Sequence, residues 1–206
     1  MALGLVATAF GLGLSLGLLP GPVQFLLLSE TGRGGLRRGF QAMLGANGTM
    51  ALLLVCLALG VSALAPAGEA LRILRVAGGL FLLFLAGDAM RSALRPAAGS
   101  NTAIAASTPP LVRGSLAVVL NPGAWVFLAT TASALLATAA RSVGRGPSLF
   151  VALAMIAGVA AVDGPVVLLG EGARRLERRA GRIVTPVLAV GLAAFGLLLL
   201  ISGLRG

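Results

Sequence analysis

The sequence predicts an all-α integral membrane protein. Six transmembrane helices are expected, laid out as two inverted three-helix repeats, with the first and fourth helices broken by proline. Three observations predict this. Of 206 residues, 58% are hydrophobic and only 11% charged, with a mean hydropathy of +1.02, whereas soluble domains carry roughly 25% charged residues. The charges punctuate the chain and leave uncharged runs near the roughly 20 residues that a helix needs to cross a bilayer. Finally, Pro20-Gly21-Pro22 and Asn121-Pro122 fall inside two of those runs.

Each element follows from where the charges stop. Residues 1–29 and 39–68 carry no charged side chain. The third run, 76–87, is short, but Arg72, Arg75, Asp88, Arg91 and Arg95 flank it. Such side chains extend toward the interfaces from the ends of a longer helix, so the span is read as 71–94. Residues 114–140 are uncharged, residues 146–170 contain only Asp163, and residues 183–204 close the series. The first nine residues have neither a basic segment nor a cleavage site, so a removable signal peptide is not expected.

All 16 basic residues are Arg, against six acids, for a net charge of +10. In a soluble protein this balance would suggest nucleic acid; between membrane spans it is a topogenic signal. Loops one, three and five hold 11 of these Arg: Arg33, Arg37, Arg38, Arg91, Arg95, Arg113, Arg174, Arg175, Arg178, Arg179 and Arg182. The opposite side holds five, which places both termini outside a plasma (inner) membrane and the Arg-rich loops in the cytoplasm. The small, polar, Pro-capped stretch 96–112 reads as a cytoplasmic linker between repeats at 1–95 and 113–206. Three spans per half make two similar halves inverted, a common transporter plan.

The candidate site rests on residues that a lipid-facing helix would not select. Pro20 and Pro22, around Gly21, remove two backbone donors, and such breaks are tolerated at membrane depth where protein or a cavity re-satisfies the backbone. Gln24 follows in the same span, Asn47 lies in the second, Asn121 and Pro122 in the fourth, and Asp163 in the fifth. Counted from the cytoplasmic end of each span, Pro22, Asn47, Asn121 and Asp163 all lie roughly 9–12 Å deep at 1.5 Å per residue. Asp163 is the sharpest of them. A carboxylate within a span costs at least about 2.5–3.5 kcal/mol and usually faces a cavity, a partner or a substrate route. It is the candidate for coupling as well as for binding.

Other features have simpler accounts. Asp88 is expected to pair locally with Arg91, three residues on. Gly13, Gly17 and Gly21 would let another helix approach closely, and this small-residue face permits a homodimer. The basic stretch 171–182 fits orientation and attraction to anionic lipid. With no His, no Lys, no Tyr and the single Cys56, His acid–base chemistry, Lys Schiff bases and a membrane dithiol relay are excluded. No nucleophile with its base is found, so no catalytic residue, metal ligand, cofactor or nucleic-acid partner is assigned.

The ordered motifs resemble the LysE (lysine exporter) family of amino-acid efflux transporters. Pro20-Gly21-Pro22, the Gly-Arg-Gly-Gly-Leu-Arg-Arg-Gly stretch of 32–39, and Leu44-Gly45 with Gly48 are similar to the first half of that family. So are residues 74–91, LRVAGGLFLLFLAGDAMR, and in the second half Arg113-Gly114, Leu120-Asn121-Pro122-Gly123 and Asp163. The resemblance implies a six-helix carrier exporting amino acids or related small metabolites, often driven by the proton gradient. It implies that Pro20, Gly21, Pro22, Asn121 and Pro122 shape the substrate cavity with Asp163 beside it. Two positions depart from the family: Phe81 stands where a Tyr is usual, and Thr130-Thr131-Ala132-Ser133 replaces a Pro-Gln-Phe. The departures leave room for a helper of lipid or glycolipid export, or a membrane scaffold. A metal-cation exporter fits less well without His and with one clear intramembrane acid.

Overall fold

The computed structural model describes residues 2–19, 21–60, 69–94 and 108–205. They form α1 (Ala2–Leu18), α2 (Pro22–Ala58), α3 (Glu69–Leu94), α4 (Pro110–Val119), α5 (Pro122–Phe127), a π-helical turn (Leu128–Ala132), α6 (Ser133–Val143) and α7 (Arg145–Arg205). No strand occurs among the described residues. Five helical segments are long and apolar enough to cross a membrane: Pro22–Ala58, Arg72–Arg91, Pro122–Val143, Arg145–Gly172 and Val187–Arg205. Alone, α1 and α4 are shorter than a span.

Two of the helices are not what their lengths suggest. Within α2, Gly34 (φ −146°, ψ 18°) and Gly35 (φ 74°, ψ −172°) leave the helical region, so residues 22–33 and 36–58 are separate helical pieces. The positive φ of Gly35 is open to a residue without Cβ and strained for any other. In α7, Gly170 lies against Thr31 while Gly191 lies against Phe25. Thr31 and Phe25 are about 9 Å apart along their helix, but Gly170 and Gly191 would be about 32 Å apart on a straight one. Residues 145–172 and 187–205 therefore run alongside the same helix as two segments.

Glycine sets how closely the helices pack. A Cβ on Gly13 would strike the Met155 carbonyl and one on Gly158 the Phe10 carbonyl, which fixes α1 against α7 backbone to backbone. Gly45 meets the Leu111 carbonyl and Gly114 the Ala42 carbonyl, which seats α4 on α2. Gly79 and Gly196 face each other across α3 and α7. This is the small-residue packing by which membrane helices associate without a hydrophobic drive. Large side chains such as Leu52, Phe84, Phe150 and Leu198 instead point outward, exposed, as lipid contact requires.

Both proline breaks are built locally. Leu19 ends the first turn-back with its N–H on the Leu16 carbonyl (3.3 Å), Gly21 is extended, and Pro22 opens α2 at its first position, where a missing N–H costs nothing. Pro20 lies outside the described residues. In the second break, Asn121 caps α5, its side-chain oxygen accepting from the Gly123 N–H at 3.0 Å, again with Pro at the first position. The linker expected at 96–112 lies mostly outside the described residues, and Pro110 already belongs to α4.

Candidate functional site

The residues singled out by depth meet at one cavity of about 270 Å³. Gly21, Pro22 and Gln24 line it from the start of α2, Asn47 from its second piece, Asn121 from the α4–α5 break, and Asp163 from α7. Pro122 is buried beside Asn121 but does not line the cavity among the described residues. Leu16, Val23, Met50, Val118, Val159 and Phe195 supply most of the apolar wall.

The polar groups divide into those already satisfied and those left open. The Gln24 side-chain amide donates to the Gly17 carbonyl at 3.0 Å, spanning the first break. The Asn121 oxygen is taken by its own cap. Asp163, however, is 0% exposed, and neither of its carboxylate oxygens has a hydrogen-bond partner. The Asn47 side-chain nitrogen is likewise buried and unmatched. It is the polar neighbour of Asp163 but does not reach hydrogen-bonding geometry with it. A buried carboxylate without a partner is costly, and native proteins retain one mainly where a ligand, ion or proton occupies it. Among the described residues that line the cavity Asp163 is the only charged one.

A second charged assembly lies beyond the cavity and was not visible in the sequence. Glu30, 0% exposed, accepts from Arg113 (2.9 Å) through one oxygen and from Arg38 (2.9 and 2.7 Å) through the other. Arg113, 1% exposed, also reaches Asp88 at 2.8 Å, and Arg33 reaches Asp88 at 2.7 Å. The Arg113 Nε donates to the Thr108 carbonyl at 3.0 Å. The local Asp88–Arg91 pair expected from spacing is thus replaced by pairing across helices, because α2 and α4 bring two guanidinium groups to Asp88. The network ties both pieces of α2 to α3 and α4. Pro22 precedes Glu30 by eight residues and Asn121 follows Arg113 by eight, so both breaks sit about 12 Å from it in helical rise.

The only sign of this network in the sequence is Glu30 at the end of an uncharged run, with Arg33 and Arg38 close behind. Along α2 the buried Leu26 and Leu27 separate Glu30 from Gln24, which lines the cavity. The Arg side chains of 174–182, expected against anionic lipid, lie outside the described residues. Arg33, Arg38 and Arg113, counted as loop charges, are engaged in ion pairs instead.

A family model, LysE type translocator, matches residues 14–203. No curated protein matches the chain, and no solved structure does.

Proposed function

The chain belongs to the LysE type translocator family, a family of membrane transporters, and from that premise we propose that it exports amino acids or related small metabolites from the cytoplasm in exchange for protons. The observation that carries the proposal is the convergence of Gly21, Pro22, Gln24, Asn47, Asn121 and Asp163 on one cavity. They come from elements far apart in the chain, and Asp163 is buried there without a partner.

In this account the chain crosses the inner membrane six times, with both termini outside. The spans are residues 2–33, broken at 19–22; 36–58; 72–91; 110–143, broken at 120–121; 145–172; and 187–205. Residues 1–95 and 113–206 form the two inverted halves. The start of α2, which has no side-chain cap, presents its backbone dipole to the substrate, as discontinuous helices do in other carriers. Asp163 holds either a substrate ammonium or a proton. Because one carboxylate cannot hold both, release of one is tied to arrival of the other. Rocking of the halves about the breaks exposes the cavity to each side in turn. No covalent step is needed, so Asp163 is a binding and coupling residue.

The test is efflux of a labelled amino-acid panel from proteoliposomes with an imposed proton gradient. The expected result is saturable export of at least one amino acid that collapses when a protonophore removes the gradient. Folded protein that moves none of the panel would turn the assignment toward a lipid-export helper or scaffold.

A further inference from the structure

The charge inventory of the cavity carries a statement about which substrate it takes. Among the described residues its lining holds one carboxylate, Asp163, and no Arg. The described ion pairs of Glu30 and Asp88 are not part of that lining, and each acid there is matched by guanidinium groups. To the cavity, α1 contributes Leu16 and Gly17, and Leu19 follows at its end. From α2 come Gln24, Asn47 and Met50, from the α4–α5 break Val118 and Asn121, and from α7 Val159 and Phe195. None of these groups is charged.

Two complementary poles are available within that lining. Asp163 offers two unmatched acceptor oxygens, and the Asn47 nitrogen an unmatched donor. The 12-residue helical piece that starts at Pro22 has no side-chain cap at Gly21. Its first turn, Gly21 to Gln24, lines the same cavity, and a helix N-terminus favours a carboxylate. Elsewhere on the wall the Gln24 side-chain nitrogen and the Asn121 side-chain oxygen are already bonded.

We propose that the substrate is a zwitterion with an uncharged, apolar body: an α-amino acid with a hydrocarbon side chain. Its ammonium meets Asp163 beside the Asn47 side chain, its carboxylate meets the start of α2, and its side chain meets Met50, Val118, Val159 and Phe195. A basic amino acid brings a second cation for which the cavity has no second acid. An acidic one brings a second anion for which it has no Arg. Either would bury an unpaired charge, and discrimination of at least about 100-fold follows. This inference rests on the carrier reading above and narrows its substrate.

Counterflow in proteoliposomes tests it with labelled leucine, lysine and glutamate, and with isoamylamine as leucine without its carboxylate. Leucine is expected to exchange, with lysine, glutamate and isoamylamine each at least about 100-fold lower in kcat/KM. Met50→Glu, or Val118→Asp if that variant does not fold, supplies the missing second acid and is expected to raise the lysine-to-leucine ratio by at least about 10-fold. Lysine moved as fast as leucine by the unaltered protein overturns the inference while leaving the carrier reading intact. Isoamylamine moved as fast as leucine does the same, by removing the role of the carboxylate. Movement of none of the four, by folded protein that still exports another amino acid of the panel, overturns the inference alone; export of nothing removes the carrier reading and the inference with it.

Discussion

Asp163→Asn is expected to abolish gradient-driven export, lowering its initial rate by at least about 100-fold, while leaving the protein folded. The carboxamide keeps the shape of the side chain but can neither take up a proton nor neutralise an ammonium. Both functions assigned to Asp163 therefore fail together. Stability should move the other way, or not at all, because the substitution removes a 0% exposed carboxylate that has no hydrogen-bond partner and replaces it with a neutral group. Initial rates with and without the proton gradient, beside thermal unfolding in detergent, read the two effects separately. Wild-type rates in a folded Asp163→Asn protein would reduce Asp163 to a structural residue.

The opposite pattern is expected for Glu30→Ala, where stability takes the loss. Glu30 is the acid on which Arg113 and Arg38 converge, and Arg113 is 1% exposed. Removing the carboxylate leaves that guanidinium to Asp88 and the Thr108 carbonyl alone. Breaking one side of a buried ion pair typically costs about 3–5 kcal/mol. Part of this is softened because Arg38 is 30% exposed and can turn to water. The double variant Glu30→Leu with Arg113→Leu removes both buried charges, and its stability should lie closer to wild type than the sum of the single losses. Thermal unfolding of wild type, Glu30→Leu, Arg113→Leu and the double variant in one detergent checks this. Additive losses would mean that the Glu30–Arg113 contact contributes nothing of its own.

How far the sequence foretells this arrangement depends on whether a feature is local. The membrane helices are legible because charges are sparse within each run, and the breaks because Pro22 and Pro122 lack the N–H by which a preceding helix would continue. Asp163, Asn47 and Asn121 are legible as a group because helical rise is constant, so distance from a charged end translates into depth. Their meeting at one cavity is what that common depth anticipates.

Features set by contacts between distant residues are not legible in this way. Glu30 and Arg113 are 83 residues apart, and each taken alone looks like a charge at a membrane boundary. Local spacing favours Arg91 for Asp88, yet close packing of α4 on α2 at Gly45 and Gly114 brings Arg113 within reach. Phe195 joins the cavity wall from a segment in which every neighbour is equally apolar, so nothing in its pattern marks it. The break at Gly34 and Gly35 falls within the stretch taken as loop one. Helix continues on both sides of it, because Gly35 alone supplies the positive φ that the turn needs.

In the proposed carrier, substrate binds in the space bounded by the two breaks and Asp163. Cys56 is the only cysteine, so a Cys56→Ser background allows one new thiol at a time. Asn121→Cys places it on the cavity wall, and Ser142→Cys, at an exposed position near the end of α6, serves as the control. The measurement is the rate of labelling by a small water-soluble thiol reagent, with and without a saturating concentration of a transported amino acid. The account predicts labelling at both positions, slowed severalfold by substrate at residue 121 and unchanged at residue 142. Labelling at residue 121 that ignores the substrate, or fails altogether, would contradict it.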